Sequence, residues 1–252
     1  MSTSPTPPIE LTGHGSHFGG DGTDLPEDFL DALGAICEVV TDDGAVAESS
    51  RDWWPLALHW SLAGEVPQLA DAVVRPSTTA QVAAVARACS IARVPLTVAG
   101  GRSGVCGAAI PVFGGVVLDT TALVGVGSVD ERSGVVEVWA GTFGPDLARH
   151  LAEYGLAVGH LPQSFELATV GGWVACRGAG QYSTRYGKIE DLVVGLEVVL
   201  ADGRVLRTGG APAAAAGPDL SQLFCGSEGT LGVITRVWLR AHPLPASERR
   251  AA

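Results

Sequence analysis

The sequence predicts a mixed fold of helices and strands that opens on a βαβ-like unit and continues into a second lobe, and three observations carry that reading. At 252 residues the chain exceeds the ~150 residues of a typical domain, which allows one large α/β unit or two smaller lobes. Strand, helix and strand patterns follow one another between Ala72 and Ala99, and strand patterns with one clear helix between them continue beyond residue 125. Apolar residues make up 46% and charged residues 17%, with 34 Gly and 15 Pro, the balance of a glycine-rich globular enzyme. Disordered, collagenous and coiled-coil chains are excluded.

Residues 1–23 have neither a basic n-region nor an apolar h-region, so they read as a disordered tail rather than a signal peptide. Asp24 with Glu27 predicts a capping box, and Phe29, Leu30, Leu33 and Ile36 recur at helical spacing behind it. Arg51 to Gln68, with Trp53, Trp54 and Trp60, has no clean period and is expected to be an irregular segment packed by its aromatics. Residues 24–66 are therefore an approach to the main domain.

Val73-Val74 ends a strand, Thr78 with Gln81 forms a second capping box, and Val82, Val85, Ala86 and Cys89 give a buried helix face. Pro95 to Ala99 is the next strand, expected to pair in parallel with the first. Further strands are predicted at Val116–Asp119 and Val135–Trp139, then a helix from near Pro145 to a C-cap at Gly155. Leu192–Leu200 is an apolar strand, Asp202-Gly203 predicts a type I′ turn into Arg204–Leu206, and Ala211–Ala216 is a low-complexity loop. Val233–Leu239 alternates poorly, as a strand buried on both sides does, and residues 246–252 form an exit tail.

The net charge of −11, without any Lys/Arg cluster, excludes nucleic acid as a partner. Five widely spaced cysteines with no CxxC pair indicate neither a disulfide framework nor a metal site, and reduced thiols fit a cytoplasmic protein. The longest uncharged run, Ser103–Leu118, is broken by four glycines and Pro111 and falls short of the ~20 apolar residues of a membrane span.

Three glycine-dense segments remain: Val98–Gly107, Thr169–Gly180 and Gly226–Gly232. Such loops bring backbone close to a ligand, and their successive N–H groups form nests for anionic oxygens, so a phosphorylated cofactor is their natural guest. The first follows a predicted strand and offers Arg102 and Ser103 as donors. Neither GxGxxG nor GxxxxGK[ST] is present, which removes support from the Rossmann and P-loop NTPase folds.

The run from His160 to Gly180 (HLPQSFELATVGGWVACRGAG), then Tyr186 to Val193, Gly217-Pro-Asp219 and Gly226 to Ile234, resembles the FAD-binding domain of the vanillyl-alcohol oxidase / PCMH flavoprotein family. Within it the chain is most similar to the alkyldihydroxyacetonephosphate synthases and the bacterial D-lactate and glycolate oxidoreductases. The resemblance implies an α+β, two-lobed PCMH-type fold over residues 67–245, with lobes of about 67–125 and 126–245 and FAD between them. It implies that Gly100, Gly101, Arg102, Ser103, Gly104 and Val105 cradle the pyrophosphate. Pro162, Ser164, Ala168, Thr169, Gly171 and Gly172 would line the path of phosphate, ribose and flavin, with Arg177 to Gly180 continuing it. Glu228, Gly232, Val233 and Ile234 would close over the cofactor. Gly101 is expected to have positive φ and to leave room for the pyrophosphate.

Some relatives attach FAD through a histidine in the first glycine loop or a cysteine near the second. Here the first loop has no His and Pro162–Thr169 no Cys, so FAD is expected to be non-covalent. The implied activity is that of a flavin-dependent oxidoreductase acting on a 2-hydroxy acid or similar alcohol, with a small-molecule substrate and an electron acceptor. Alkyl transfer as in the synthases, or a flavin-binding module without activity of its own, are the alternatives. The synthases are expected to have a basic residue before Gly217, where this chain has Ala213–Ala216. Family members continue into a cap domain where this sequence stops, so the cap is expected to be absent, and a homodimer or a cap-bearing partner subunit stays open. No catalytic residue is assigned. His160 titrates in the right range for acid–base work but a structural histidine is the simpler reading, and Cys106 and Cys176 are expected to be inert buried thiols.

Overall fold

The computed structural model describes residues 10, 17–18, 23, 25–210, 215 and 217–247. Apart from those positions, the tail expected at 1–23, the loop at 211–216 and the exit tail lie outside the described residues, as does Asp24.

The first sheet is built from the N-terminal half. Helix α1 (Phe29–Gly34) buries Phe29 and Leu33 against it, with Asp28 at the N-cap in the left-handed region (φ 63). Strand β1 (Glu38–Val40) and two short helices, α2 (Asp43–Ser49) and α3 (Pro55–Ser61), follow. The last of these corrects the expectation of an irregular segment from residue 51. Pro55 opens α3 at a position where its missing N–H costs nothing, but seven residues are too few to display a helical period.

Strand β2 (Ala72–Arg75), helix α4 (Thr79–Ala92), strand β3 (Leu96–Ala99) and strand β4 (Val116–Asp119) complete the sheet in the order β1-β2-β4-β3. The strands β2 and β3 were expected to pair. Instead β4 lies between them, in register with both at Ala72↔Val116 and Leu96↔Val116. All four residues of β4 are buried, which suits a central parallel strand. The Thr78 hydroxyl caps α4 by accepting the Gln81 N–H, while the Gln81 amide accepts from the Ser77 N–H and donates to the Ile36 carbonyl, tying the start of α4 to the exit of α1.

The second sheet is antiparallel. It comprises β5 (Val126–Asp130), β6 (Val135–Trp139), β8 (Val193–Val199), β9 (Val205–Gly209) and β10 (Val233–Arg240), in the order β5-β6-β10-β8-β9. Between β6 and β8 run α5 (Gly144–Ala152), β7 (Leu156–Ala157), α6 (Val170–Ala175), α7 (Ser183–Tyr186) and α8 (Ile189–Leu192). The chain continues through α9 (Ser221–Phe224) before β10 and ends in β11 (His242–Pro243), which pairs with β7. The β8–β9 turn is not type I′: Gly203 alone has positive φ (82°) and its N–H closes onto the Leu200 carbonyl, the longer turn with a glycine in the left-handed position.

Val136, Val138, Leu147, Leu151, Trp173 and Leu196 anchor the core between the second sheet and α5 and α6. The two sheets meet where Val199 and Val233 join the core formed by Val82, Val85 and Leu118. Next to that junction the loop after β3, the loop before α6 and the start of β10 converge on one cleft.

Candidate functional site

The cleft holds about 1020 Å³ of unfilled space, part of it open to solvent. Gly100, Gly101, Arg102, Ser103 and Gly104 line it from the first sheet, and Pro162, Ser164, Ala168, Thr169, Gly171 and Gly172 from the second. Glu228, Gly232 and Ile234 close a third side.

The segments can converge because they carry almost no side-chain bulk. A Cβ on Gly101 would lie 1.9 Å from the Leu167 carbonyl oxygen, one on Gly100 2.5 Å from Thr169 Oγ1, and one on Gly171 2.7 Å from Ala140 Cβ. This revises the reason for glycine at 101. Its φ is not positive, and the residue in the left-handed region is Arg102 (φ 52). Glycine is required at 101 because two backbones touch there.

The Thr120 hydroxyl donates to the Ala99 carbonyl and fixes the exit of β3. Beyond it, the N–H groups of Gly101, Arg102, Ser103 and Gly104 bond to no other group among the described residues. Four successive free donors beside a glycine wall form an anion nest. The start of α6 is different: the Val170 and Gly171 N–H groups donate to the Thr142 and Ala140 carbonyls, and the Thr169 hydroxyl accepts the Gly172 N–H.

Four expected site residues do not line the cleft. Val105 is exposed beyond it, and Val233 is buried in the core between the sheets. A Cβ on Gly180 would meet the Leu161 backbone at 2.6 Å, so its role is packing. Arg177 gives its guanidinium to the Cys225 carbonyl at 2.9 and 3.2 Å and points no charge at the cleft lining. Arg102 is nearer, 3.7 Å from Asp119, which it shares with Arg75.

Two titratable lining residues lie outside the glycine motifs. Asp52, 2% exposed, accepts the Trp54 N–H on Oδ1 and the Gly107 N–H on Oδ2, both at 2.9 Å. Burial pushes its carboxyl above the usual range, against the pull of those N–H groups. It sits in the aperiodic stretch whose only signal was an unusual density of tryptophan. His160, 4% exposed, packs edge-on against Trp173 at 5.0 Å, and neither ring nitrogen has a hydrogen-bond partner among the described residues.

Burial pulls the His160 pKa down from 6.5 to about 4, opposed by the Glu190 carboxylate. The imidazole therefore stays neutral in the folded protein while the unfolded chain takes up a proton below pH 6.5. Stability is fully present above that pH and is lost as the pH falls towards 4, by about 3 kcal/mol from this group. Urea unfolding at pH 7 and pH 4.5 should show His160→Gln losing less stability on acidification than the parent; an unchanged difference excludes His160 as the source.

All five cysteines are free thiols. Cys106 and Cys176 are exposed, which corrects the expectation of buried thiols. Crowding by surrounding protein, with the Glu228 carboxylate adding to it, pushes the Cys176 thiol up to about 11. It stays protonated at neutral pH. Among the described residues no group of His, Cys, Asp and Glu could hold a metal ion, and no helix is long and apolar enough to cross a membrane.

A two-sheet α+β fold with a glycine-walled anion nest at its junction defines a binding domain for a phosphorylated cofactor. Residues 70–209 match the family described as FAD binding domain, and the chain belongs to that family. FAD is its cofactor, and the free donors and the small residues of the opposite wall fit the pyrophosphate. The chain is 34% identical over 195 residues to glycolate oxidase subunit GlcD of Bacillus subtilis (strain 168), covering 77% of this chain and 42% of that protein. It is 39% identical over 207 residues to the uncharacterized FAD-linked oxidoreductase YgcU of Escherichia coli (strain K12), covering 80% of this chain and 42% of that one. Its fold superposes on an alkyldihydroxyacetonephosphate synthase with a TM-score of 0.83 at 27% identity, covering 96% of this chain and 44% of the synthase. The chain thus spans less than half the length of these relatives.

Proposed function

We propose that this chain holds FAD non-covalently as the flavin-binding part of an oxidoreductase whose substrate is a 2-hydroxy acid, D-lactate or glycolate in kind, or a similar alcohol, and whose electrons pass to a second acceptor. The observation that carries the cofactor part is the run of unpartnered N–H donors from Gly101 to Gly104 in a cleft whose other side presents the small residues Ala168, Thr169, Gly171 and Gly172. Bound FAD supplies the redox chemistry; the chain supplies position and electrostatics. Gly100 to Gly104 take the pyrophosphate, Pro162 to Gly172 flank the ribityl and flavin path, and Glu228 to Ile234 cover it. Free thiols throughout support a reducing, cytoplasmic setting.

The purified protein should be yellow with one FAD per chain, and acid precipitation should release all the colour into the supernatant. A colourless protein that takes up no added FAD overturns the reading, and colour retained in the pellet overturns its non-covalent part.

The likeness to a glycolate oxidase subunit supports the hydroxy-acid substrate. Alkyl transfer is favoured by the superposition on the synthase but opposed by Ala213–Ala216 where a basic residue is expected. Anaerobic addition of D-lactate or glycolate tests this: loss of the flavin absorbance supports oxidation, and an unchanged spectrum leaves alkyl transfer and a flavin-binding module without activity of its own.

A further inference from the structure

We infer that Asp52, which precedes the segment matched to the FAD binding domain, is a positioning residue that shapes the pyrophosphate nest by gathering the far half of the glycine loop. The inference rests on the proposed cofactor site and adds a part of it that the glycine motifs do not contain.

The loop from Gly100 to Ile110 has no helix or strand to hold it, so its shape must come from outside contacts. Residues 52–54 make them. The Trp53 N–H donates to the Gly104 carbonyl at 2.9 Å, the Asp52 carboxylate accepts the Gly107 N–H at 2.9 Å, and the Ala109 N–H also faces that carboxylate. The Trp54 N–H on the other carboxylate oxygen closes residues 52–54 on themselves, and the Trp54 ring covers Gly107.

The loop is thereby divided. Its second half gives the Gly107 and Ala109 N–H groups to Asp52, and among the described residues the N–H groups from Gly101 to Cys106 stay unpaired. A carboxylate 2% exposed is costly to bury unless N–H groups satisfy it, so its placement follows from that contact set. Its charge also lies beside Gly104, where a Cβ would be 3.8 Å from Oδ2, and repels an anion from that end of the loop. The pyrophosphate is thereby directed to the Gly101 end of the unpaired donors.

The test compares Asp52→Ala and the isosteric Asp52→Asn with the parent chain, using FAD and ADP as probes and amide hydrogen exchange on the protein without ligand. Asp52→Ala should weaken FAD and ADP alike, by about 10- to 100-fold, because both share the pyrophosphate grip. Exchange at Gly107 and Ala109 should rise at least about tenfold while β8 and β10 amides keep their protection. Asp52→Asn, which retains one acceptor oxygen, should lie between Asp52→Ala and the parent in both readouts. The inference is overturned by unchanged FAD affinity in both variants, by loss of FAD affinity with ADP unaffected, or by faster exchange spread evenly over the chain. If the parent itself binds neither FAD nor ADP, the cofactor reading fails, and the exchange measurements still decide whether Asp52 holds the loop.

Discussion

Gly101→Val should abolish FAD uptake. The first carbon of any side chain at 101 would stand 1.9 Å from the Leu167 carbonyl oxygen and 3.3 Å from the Ala168 Cα, and both obstacles are backbone, which cannot rotate away. Either the loop after β3 or the segment before α6 must move by more than an ångström, and each carries one wall of the cleft. The free N–H groups of Gly101 to Gly104 would then no longer face the wall formed by Ala168, Thr169, Gly171 and Gly172. FAD affinity should fall by about 100-fold or more, with folding stability reduced by roughly 1–3 kcal/mol from overpacking. Gly104→Ala is the control. Its Cβ would meet only Asp52 Oδ2 at 3.8 Å, an ordinary contact, and Gly104 does not have positive φ, so FAD affinity should stay within about threefold. Titration of flavin fluorescence against each variant reads both outcomes, and far-UV circular dichroism shows whether the sheets persist. Normal FAD binding by Gly101→Val places the phosphate grip on another loop.

What could be read from the sequence depended on the length of each signal. The fourteen-residue helix α4 shows its period and its cap, and β4, β6 and β10 were legible as apolar runs because they lie inside their sheets. The helices α2 and α3 are two turns each, too short for a period. Pairing between β2 and β3 was inferred from adjacency in sequence, which carries no information about a later strand entering between them. The three glycine segments marked the walls of the cleft because close backbone contact leaves a compositional trace. Its carboxylate and its imidazole leave none: a single Asp52 or His160 looks the same in sequence whether buried or exposed. Arg177 shows the converse error, a charge beside a glycine motif that folds back onto the carbonyls of Gln222 in α9 and Cys225 just after it.

Removing the carboxylate at Glu197 should cost the most stability of any single polar change in the junction between the sheets. Glu197, 3% exposed in the middle of β8, accepts from the Thr79 hydroxyl at the start of α4 at 2.8 Å and from the Thr235 hydroxyl of β10 at 3.0 Å. Its other oxygen accepts both arms of Arg207 at 2.9 and 2.7 Å, and Arg236 approaches to 3.5 Å while stacking on Trp139. Burial raises the carboxyl pKa, but the hydrogen bonds from Thr79, Arg207 and Thr235 together outweigh it, and the net shift is downward. The folded state therefore gains from ionisation, a contribution present above the unfolded carboxylate range and lost as pH falls through the lower folded value. Glu197→Ala would take the acceptor from the half-buried Thr79 hydroxyl, leave the buried Thr235 hydroxyl only the backbone carbonyl of residue 197 at 3.3 Å, and remove one of the two carboxylates beside Arg236, which keeps Glu137. Removing one partner of a buried ionic group costs about 3–5 kcal/mol, and the lower end applies because Arg207 is 66% exposed and can turn to water. Arg207→Ala should cost under about 1 kcal/mol for the same reason. Glu197→Gln, which preserves shape and one acceptor, should fall between them and flatten the acid limb of the stability profile. Chemical denaturation of the three variants, followed by tryptophan emission at pH 7 and pH 4, measures all of this. Equal losses for Glu197→Ala and Arg207→Ala would show that the exposed ion pair, and not the hydroxyl contacts linking α4 to β8 and β10, carries the stability.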